Sequence, residues 1–161
     1  MNYYTIKKYC ASNGPGVRTA IYLSGCPIHC EGCFNKTAWD FGSGRELHKE
    51  VVKYVMDTLE PDYIRGLSIL GGEPLADKNQ IGTHALCEAV RKKFGQSKDI
   101  WIWTGYEINK IPITPFTDLI LNAADVIVDG PFVNEKYQPD LKFRGSSNQR
   151  ILTRNEYLKL I

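Results

Sequence analysis

Apolar positions along this chain follow two alternating rhythms: short unbroken runs closed by glycine, and longer segments where they return every three or four residues. The runs are rich in β-branched and apolar residues, as buried strands are. Val17 to Leu23 (VRTAIYL) is the first, ending at Ser24-Gly25, and Gly66 to Leu70 is the second, closed by Gly71-Gly72. Asp99 to Trp103 and Asp125 to Val128 follow, with a fifth candidate at Gln149 to Thr153. Between the strands, Arg45 to Leu59 sets Leu47, Val51, Val55 and Leu59 four residues apart, one stripe of a helix that Pro61 stops. Ala85 to Phe94 predicts a second helix, with Arg91, Lys92 and Lys93 near its negative C-terminal end. Pro115 to Ala123 predicts a short third.

Strands alternating with helices predict a mostly parallel sheet built by right-handed crossovers. The strands are too few for a complete eight-stranded barrel, which takes ~250 residues. The expected fold class is therefore α/β, as an open sheet or an incomplete (partial) β/α barrel. No linker-like or low-complexity stretch divides the 161 residues, so 1–161 is expected to be a single domain.

Composition works mainly by exclusion. With 43% of residues hydrophobic and 24% charged, the chain can bury a core without disulfide staples. Twenty Lys and Arg against 18 Asp and Glu leave a net charge of +2. That surplus does not make the dense basic patch that nucleic acid or an anionic membrane would require. No apolar run approaches the ~18 residues of a membrane span. Met1 to Lys8 lacks the apolar core of a secretory signal, so a cytoplasmic protein is expected.

Five cysteines change the picture, because Cys26, Cys30 and Cys33 crowd into eight residues. Disulfides between such close neighbours would be strained and would constrain little of the unfolded chain. A cluster of this kind in a reducing compartment points to metal or catalysis. Cys10 and Cys87 are expected to be small buried hydrophobes. A structural zinc site takes four Cys or His ligands, and only His29, awkwardly adjacent to Cys30, is at hand as a fourth. Three thiolates in a C-x3-C-x2-C loop also suit an iron–sulfur cubane with one iron lacking a protein ligand. The spacing favours the cluster and leaves zinc open.

Each predicted strand runs into a polar, glycine-bearing segment. The cysteine loop follows the first, Gly71-Gly72-Glu73-Pro74 the second, Thr104-Gly105-Tyr106-Glu107 the third and Asp129-Gly130-Pro131-Phe132 the fourth. In a parallel α/β fold these C-terminal strand ends share one face, where ligands bind. The Gly-Gly-Glu-Pro segment reads either as a tight turn or as a loop that exposes backbone carbonyls, with Glu73, to an ammonium group.

The C-x3-C-x2-C loop after one strand and Gly-Gly-Glu-Pro after the next resemble the radical S-adenosylmethionine superfamily. Asn13-Gly14-Pro15-Gly16-Val17-Arg18 resembles its glycyl-radical-enzyme activases. Gly32 to Trp39, Trp101 to Tyr106 and Phe143 to Arg150 resemble the branch that serves anaerobic ribonucleoside-triphosphate reductase. Gly32 departs from the aromatic that many superfamily members carry before the third cysteine, which bears on adenine stacking.

The resemblance implies a [4Fe–4S] cluster on Cys26, Cys30 and Cys33, with S-adenosyl-L-methionine chelating the open iron. Reductive cleavage would give a 5′-deoxyadenosyl radical, which abstracts hydrogen from a glycine of the reductase's large subunit. The implied partners are that subunit and a low-potential electron donor such as flavodoxin. Gly71, Gly72 and Glu73 would receive the methionyl ammonium, and main-chain atoms of Gly32, Cys33 and Phe34 would approach the adenine. Thr104 and Asp129 are candidates for ribose or carboxylate contacts. Trp101 and Trp103, two apart in a strand, are expected on one face, packed in the core. Arg144 and Arg150 bracket a serine- and glycine-rich loop and are candidates for the cofactor carboxylate or the partner. Two other functions stay open: an activase of the pyruvate formate-lyase type, and a non-catalytic zinc adaptor using Cys26, His29, Cys30 and Cys33.

Overall fold

Glycine-closed apolar runs and striped helices assemble as the sequence pattern predicts over most of the chain. The computed structural model describes residues 1–161. Along it lie β1 (Asn2–Cys10), β2 (Val17–Leu23), β3 (Arg45–Glu46), α1 (Lys49–Leu59), β4 (Ile64–Gly71) and α2 (Asp77–Phe94). They are followed by β5 (Asp99–Trp103), α3 (Thr117–Ala123), β6 (Val126–Asp129), β7 (Arg150–Thr153) and α4 (Arg154–Tyr157). All seven strands join one unclosed sheet in the order β3-β1-β2-β4-β5-β6-β7. Its centre, β2-β4-β5-β6, is parallel throughout, while β1 and β7 run antiparallel to their neighbours. The fold is therefore α/β with a mostly parallel, open sheet. No helix is long and apolar enough to cross a membrane.

Four elements depart from the sequence expectation, the short α4 among them, since no helix is expected after the fifth strand. Asn2–Cys10 forms a strand, although its lysines and tyrosines show no clean alternation; its pairing with β2 is interrupted by register shifts that break any period-two pattern. Arg45–Glu46 belongs to no helix but pairs with Asn2 and Tyr3, so α1 starts at Lys49. Helix α2 begins at Asp77, well before the expected Ala85. Its first turns are buried but polar, so they carry no apolar stripe: Asn79, Gln80 and Thr83 spend their side chains on loop carbonyls.

Alternation along the strands divides the sheet's two faces. Ile21, Leu23, Leu67, Ile69, Ile100, Ile102 and Ile127 point into the main core with Val55, Leu59, Leu86 and Val90 of α1 and α2. Arg18, Ala20, Tyr22, Ser68, Leu70, Trp101 and Trp103 occupy the alternate positions on the opposite face. Trp101 and Trp103 do share that face, with ring centroids 5.6 Å apart; Trp101 is buried there as expected, while Trp103 is half-buried and outside the main core. The face they share belongs to the candidate site.

Candidate active site

A cavity of about 350 Å³ lies on the face away from the helices, at the C-terminal ends of the parallel strands. Tyr22, Leu70 and Trp103 form its floor, and the segment after β6 contributes Phe132, Leu141 and Phe143. Of the residues expected at a site, Cys26, Cys30, Cys33, Phe34, Gly71, Gly72, Glu73 and Thr104 line it. Gly32 and Asp129 do not.

The cysteine loop is set by main-chain anchors on both sides. Gly25 (φ +90°) packs so closely on the Phe41 ring that no side chain fits there. Its amide donates to Ala38 O at 2.7 Å, and the Cys26 amide donates to Trp39 O at 3.0 Å. From the other side the Glu73 amide donates to Gly25 O at 2.7 Å, and Asn79 Nδ2 donates to Ser24 O and Gly25 O. The loops after β2 and β4 are thereby interlocked. A Cβ on Gly72 would stand 2.5 Å from Gly25 O, so glycine is required for this approach.

The three thiols line one wall without drawing together into a closed ligand group. Burial pushes the Cys26 and Cys30 thiols up from their ordinary value. Positive metal charge at that wall would offset the cost of ionising them. His29 turns away: its ring stacks on Trp39 at 4.3 Å and 15°, and it does not line the cavity. Its φ of +53° belongs to a sharp turn between Cys26 and Cys30. The fourth ligand that zinc would need is therefore directed elsewhere.

Glu73 is fully buried, and its carboxylate is held by three donors. Oε1 accepts from the Leu75 amide (2.9 Å) and the Thr104 hydroxyl (2.7 Å), and Oε2 accepts from the Gly105 amide (2.7 Å). Burial nevertheless dominates and pushes its pKa up to about 7, against those hydrogen bonds. Gly72 lines the cavity too, and its carbonyl accepts no hydrogen bond within the chain. Three cysteines, a glycine with an uncommitted carbonyl and a buried carboxylate lining one cavity suit a cluster with an open iron beside an ammonium-bearing ligand.

Asp129 is buried at the end of β6, outside the lining of the cavity. Its oxygens take Nε (2.8 Å) and Nη2 of Arg150, and the Ile108 amide at 2.9 Å, tying β6 to β7. Gly32 (φ +73°) turns the chain where a Cβ would meet Asn134 Oδ1 at 2.7 Å. Phe34, 93% exposed, stands at the rim.

Several wall residues were not foreseen as site residues. Asn13 and Tyr22 line the cavity and bond to each other, Tyr22 OH donating to Asn13 Oδ1 at 2.7 Å. Trp103 donates from Nε1 to Phe143 O at 2.7 Å, fastening the closing segment over the sheet. The alternation that put Trp101 and Trp103 on one face was visible in sequence; which face would be open was not.

A family model described as a 4Fe-4S single cluster domain matches residues 12–152. The chain is 36% identical over 153 residues to the anaerobic ribonucleoside-triphosphate reductase-activating protein of Vibrio cholerae, covering 94% of this chain and 97% of that one. It is 35% identical over 151 residues to the protein of that name from Escherichia coli K12, covering 92% and 96%. Against the enterobacteria phage T4 protein the identity is 38% over 152 residues, covering 94% and 93%. The chain belongs to the anaerobic ribonucleoside-triphosphate reductase-activating protein family. Membership in this family gives the cysteine loop a [4Fe–4S] context, in line with the cluster that its spacing favours over zinc. The match spans the cysteine loop, the Gly-Gly-Glu-Pro turn and the closing segment alike.

Proposed function

We propose that this chain activates an anaerobic ribonucleoside-triphosphate reductase, holding a [4Fe–4S] cluster on Cys26, Cys30 and Cys33 and S-adenosylmethionine beside it. In this reading the open sheet is an incomplete β/α barrel of the radical S-adenosylmethionine type. The observation that carries it is the convergence of three thiols and Gly71-Gly72-Glu73 on one cavity. When bound, the cluster and the nucleotide would supply reductive cleavage of the sulfonium and the radical chemistry that removes a glycine Cα hydrogen from the large subunit.

The chain's own residues bind, orient and exclude water. Cys26, Cys30 and Cys33 would hold the cluster through three of its irons, so that the fourth would be open to the methionyl group. The Gly72 carbonyl would accept from the methionyl ammonium, and that cation would draw the buried Glu73 carboxyl behind it toward its ionised form. Thr104 acts through Glu73 and is a positioning residue, because its hydroxyl is already given to Oε1. Asp129 likewise acts at a distance, by fixing Arg150 and the start of β7. Main-chain atoms around Gly32, Cys33 and Phe34 form the adenine side, and Phe132, Leu141 and Phe143 keep water from the reacting centre. The electron donor is a low-potential protein of the flavodoxin kind, and the setting is the cytosol, where five free thiols are stable.

Anaerobic reconstitution with iron and sulfide, followed by reduction and assay of 5′-deoxyadenosine with and without the large subunit, tests this reading. The expected result is iron-dependent 5′-deoxyadenosine formation, with glycyl-radical formation only when the large subunit is present. A colourless protein that retains zinc and forms no 5′-deoxyadenosine would overturn it.

A further inference from the structure

The chain has seven arginines, and the structure separates one from the rest. Arg18, Arg65, Arg91, Arg150 and Arg154 each pair with an aspartate. Arg45 lies over the Tyr3 ring, 5.2 Å from its centroid. Arg144 has neither a carboxylate nor a ring. It is also the only cation lining the cavity, as Glu73 is the only carboxylate. Its one bond within the chain runs from Nη1 to Gln149 O at 2.7 Å. The Nε–H and Nη2–H edge is left without a partner, and that edge is the side-on fork that fits a carboxylate bidentately.

The segment that carries Arg144 is held firmly in place. Gln149 Oε1 accepts the Gly145 and Ser146 amides at 2.9 and 3.1 Å, and its Nε2 donates to Gly130 O at 3.1 Å. Asn148 Nδ2 donates to Pro131 O at 2.8 Å. Phe143, immediately before Arg144, holds φ at +61°, a left-handed conformation that is strained for a bulky residue. Its carbonyl is fixed by Trp103, and its ring meets Trp101 edge-on with centroids 5.7 Å apart. A strained turn braced from both sides fixes where the next side chain sits.

We propose that Arg144 is a carboxylate receptor of this cavity, taking the carboxylate in a side-on bidentate pair. The inference rests on the functional reading above. A cavity with one buried carboxylate and one forked cation matches the two charges of an amino-acid terminus. The methionyl carboxylate of S-adenosylmethionine is thus one source, and an acidic side chain of the entering large-subunit segment is the other. Arg150, which the sequence offers equally, is excluded by its pairing with Asp129.

Equilibrium binding to the reconstituted, cluster-loaded protein tests the assignment. The probes are S-adenosylmethionine and its decarboxylated analogue, with wild type, Arg144→Gln and Arg144→Lys, and iron content and melting temperature report on folding. A charge-assisted pair predicts that Arg144→Gln weakens S-adenosylmethionine about tenfold or more and the decarboxylated analogue much less, with partial rescue in Arg144→Lys. If both affinities hold but the KM for the large subunit rises about tenfold at unchanged kcat, the carboxylate is the partner's and the receptor role stands. If a folded, iron-loaded Arg144→Gln changes neither, the assignment is overturned. Failure of the wild type to bind either probe would instead sink the functional reading, and this inference with it.

Discussion

Glu73 concentrates the site's electrostatics in one side chain. Three donors reach its carboxylate, yet burial pushes its pKa from an ordinary 4.5 to about 7. It therefore holds its proton more tightly in the folded chain than in the unfolded one. The stability this contributes is complete below 4.5 and is lost as pH rises through about 7. Over that window the loss is about 3 kcal/mol. The cluster-free protein is expected to melt at a lower temperature at pH 7.5 than at pH 5, and Glu73→Gln is expected to flatten most of that slope. A wild-type slope retained in full by Glu73→Gln would show that the proton sits elsewhere. The acidic residue beside Gly71-Gly72 was legible from sequence; its partners were not, since Thr104 and Gly105 lie 31 and 32 positions away. Only the parallel pairing of β4 with β5 brings those strand ends together.

At the scale of elements, two joints decide whether the site exists. One is the contact between the loops after β2 and β4, where a Cβ on Gly72 would stand 2.5 Å from Gly25 O. Gly72→Ala is expected to displace the cysteine loop and lower the iron retained after anaerobic reconstitution, although no cysteine is touched. Iron and sulfide equal to wild type would refute the interlock. The other joint is Asp129 with Arg150, register partners that bind β7 to β6. Arg150→Met strands a buried carboxylate and is expected to cost about 3 kcal/mol in denaturant unfolding. Adding Asp129→Asn should restore part of that loss, whereas a cost below about 1 kcal/mol would mean the pair is only a surface contact. Strands β2, β4, β5 and β6 were readable because apolar runs buried on both faces announce themselves. Helix α2 lost its first turns to a different logic: Asn79 faces inward to serve three loop carbonyls, so polarity there marks burial rather than solvent.

Across the whole molecule, the open sheet assigns separate work to its two faces. One is sealed by α1, α2 and α3 around an aliphatic core. The other carries Tyr22, Leu70 and Trp103 beneath the cavity, with the 130–149 segment fastened over part of it through Trp103 and Gln149. Sequence alternation separated these faces, and glycine-bearing strand ends located the site. It could not show that Trp103 would floor a cavity, because a tryptophan in a strand reads the same against a core or a ligand. Nor could it divide Arg144 from Arg150, whose difference is an aspartate at the end of a neighbouring strand. The central claim is that three thiols of one loop support radical transfer to a large partner. Its most direct test is the glycyl-radical EPR signal raised on the large subunit of the reductase under anaerobic, reducing conditions with S-adenosylmethionine. The account predicts a radical doublet with the wild-type chain and none with Cys26→Ser, Cys30→Ser or Cys33→Ser. An undiminished doublet from any one of those three variants would contradict it.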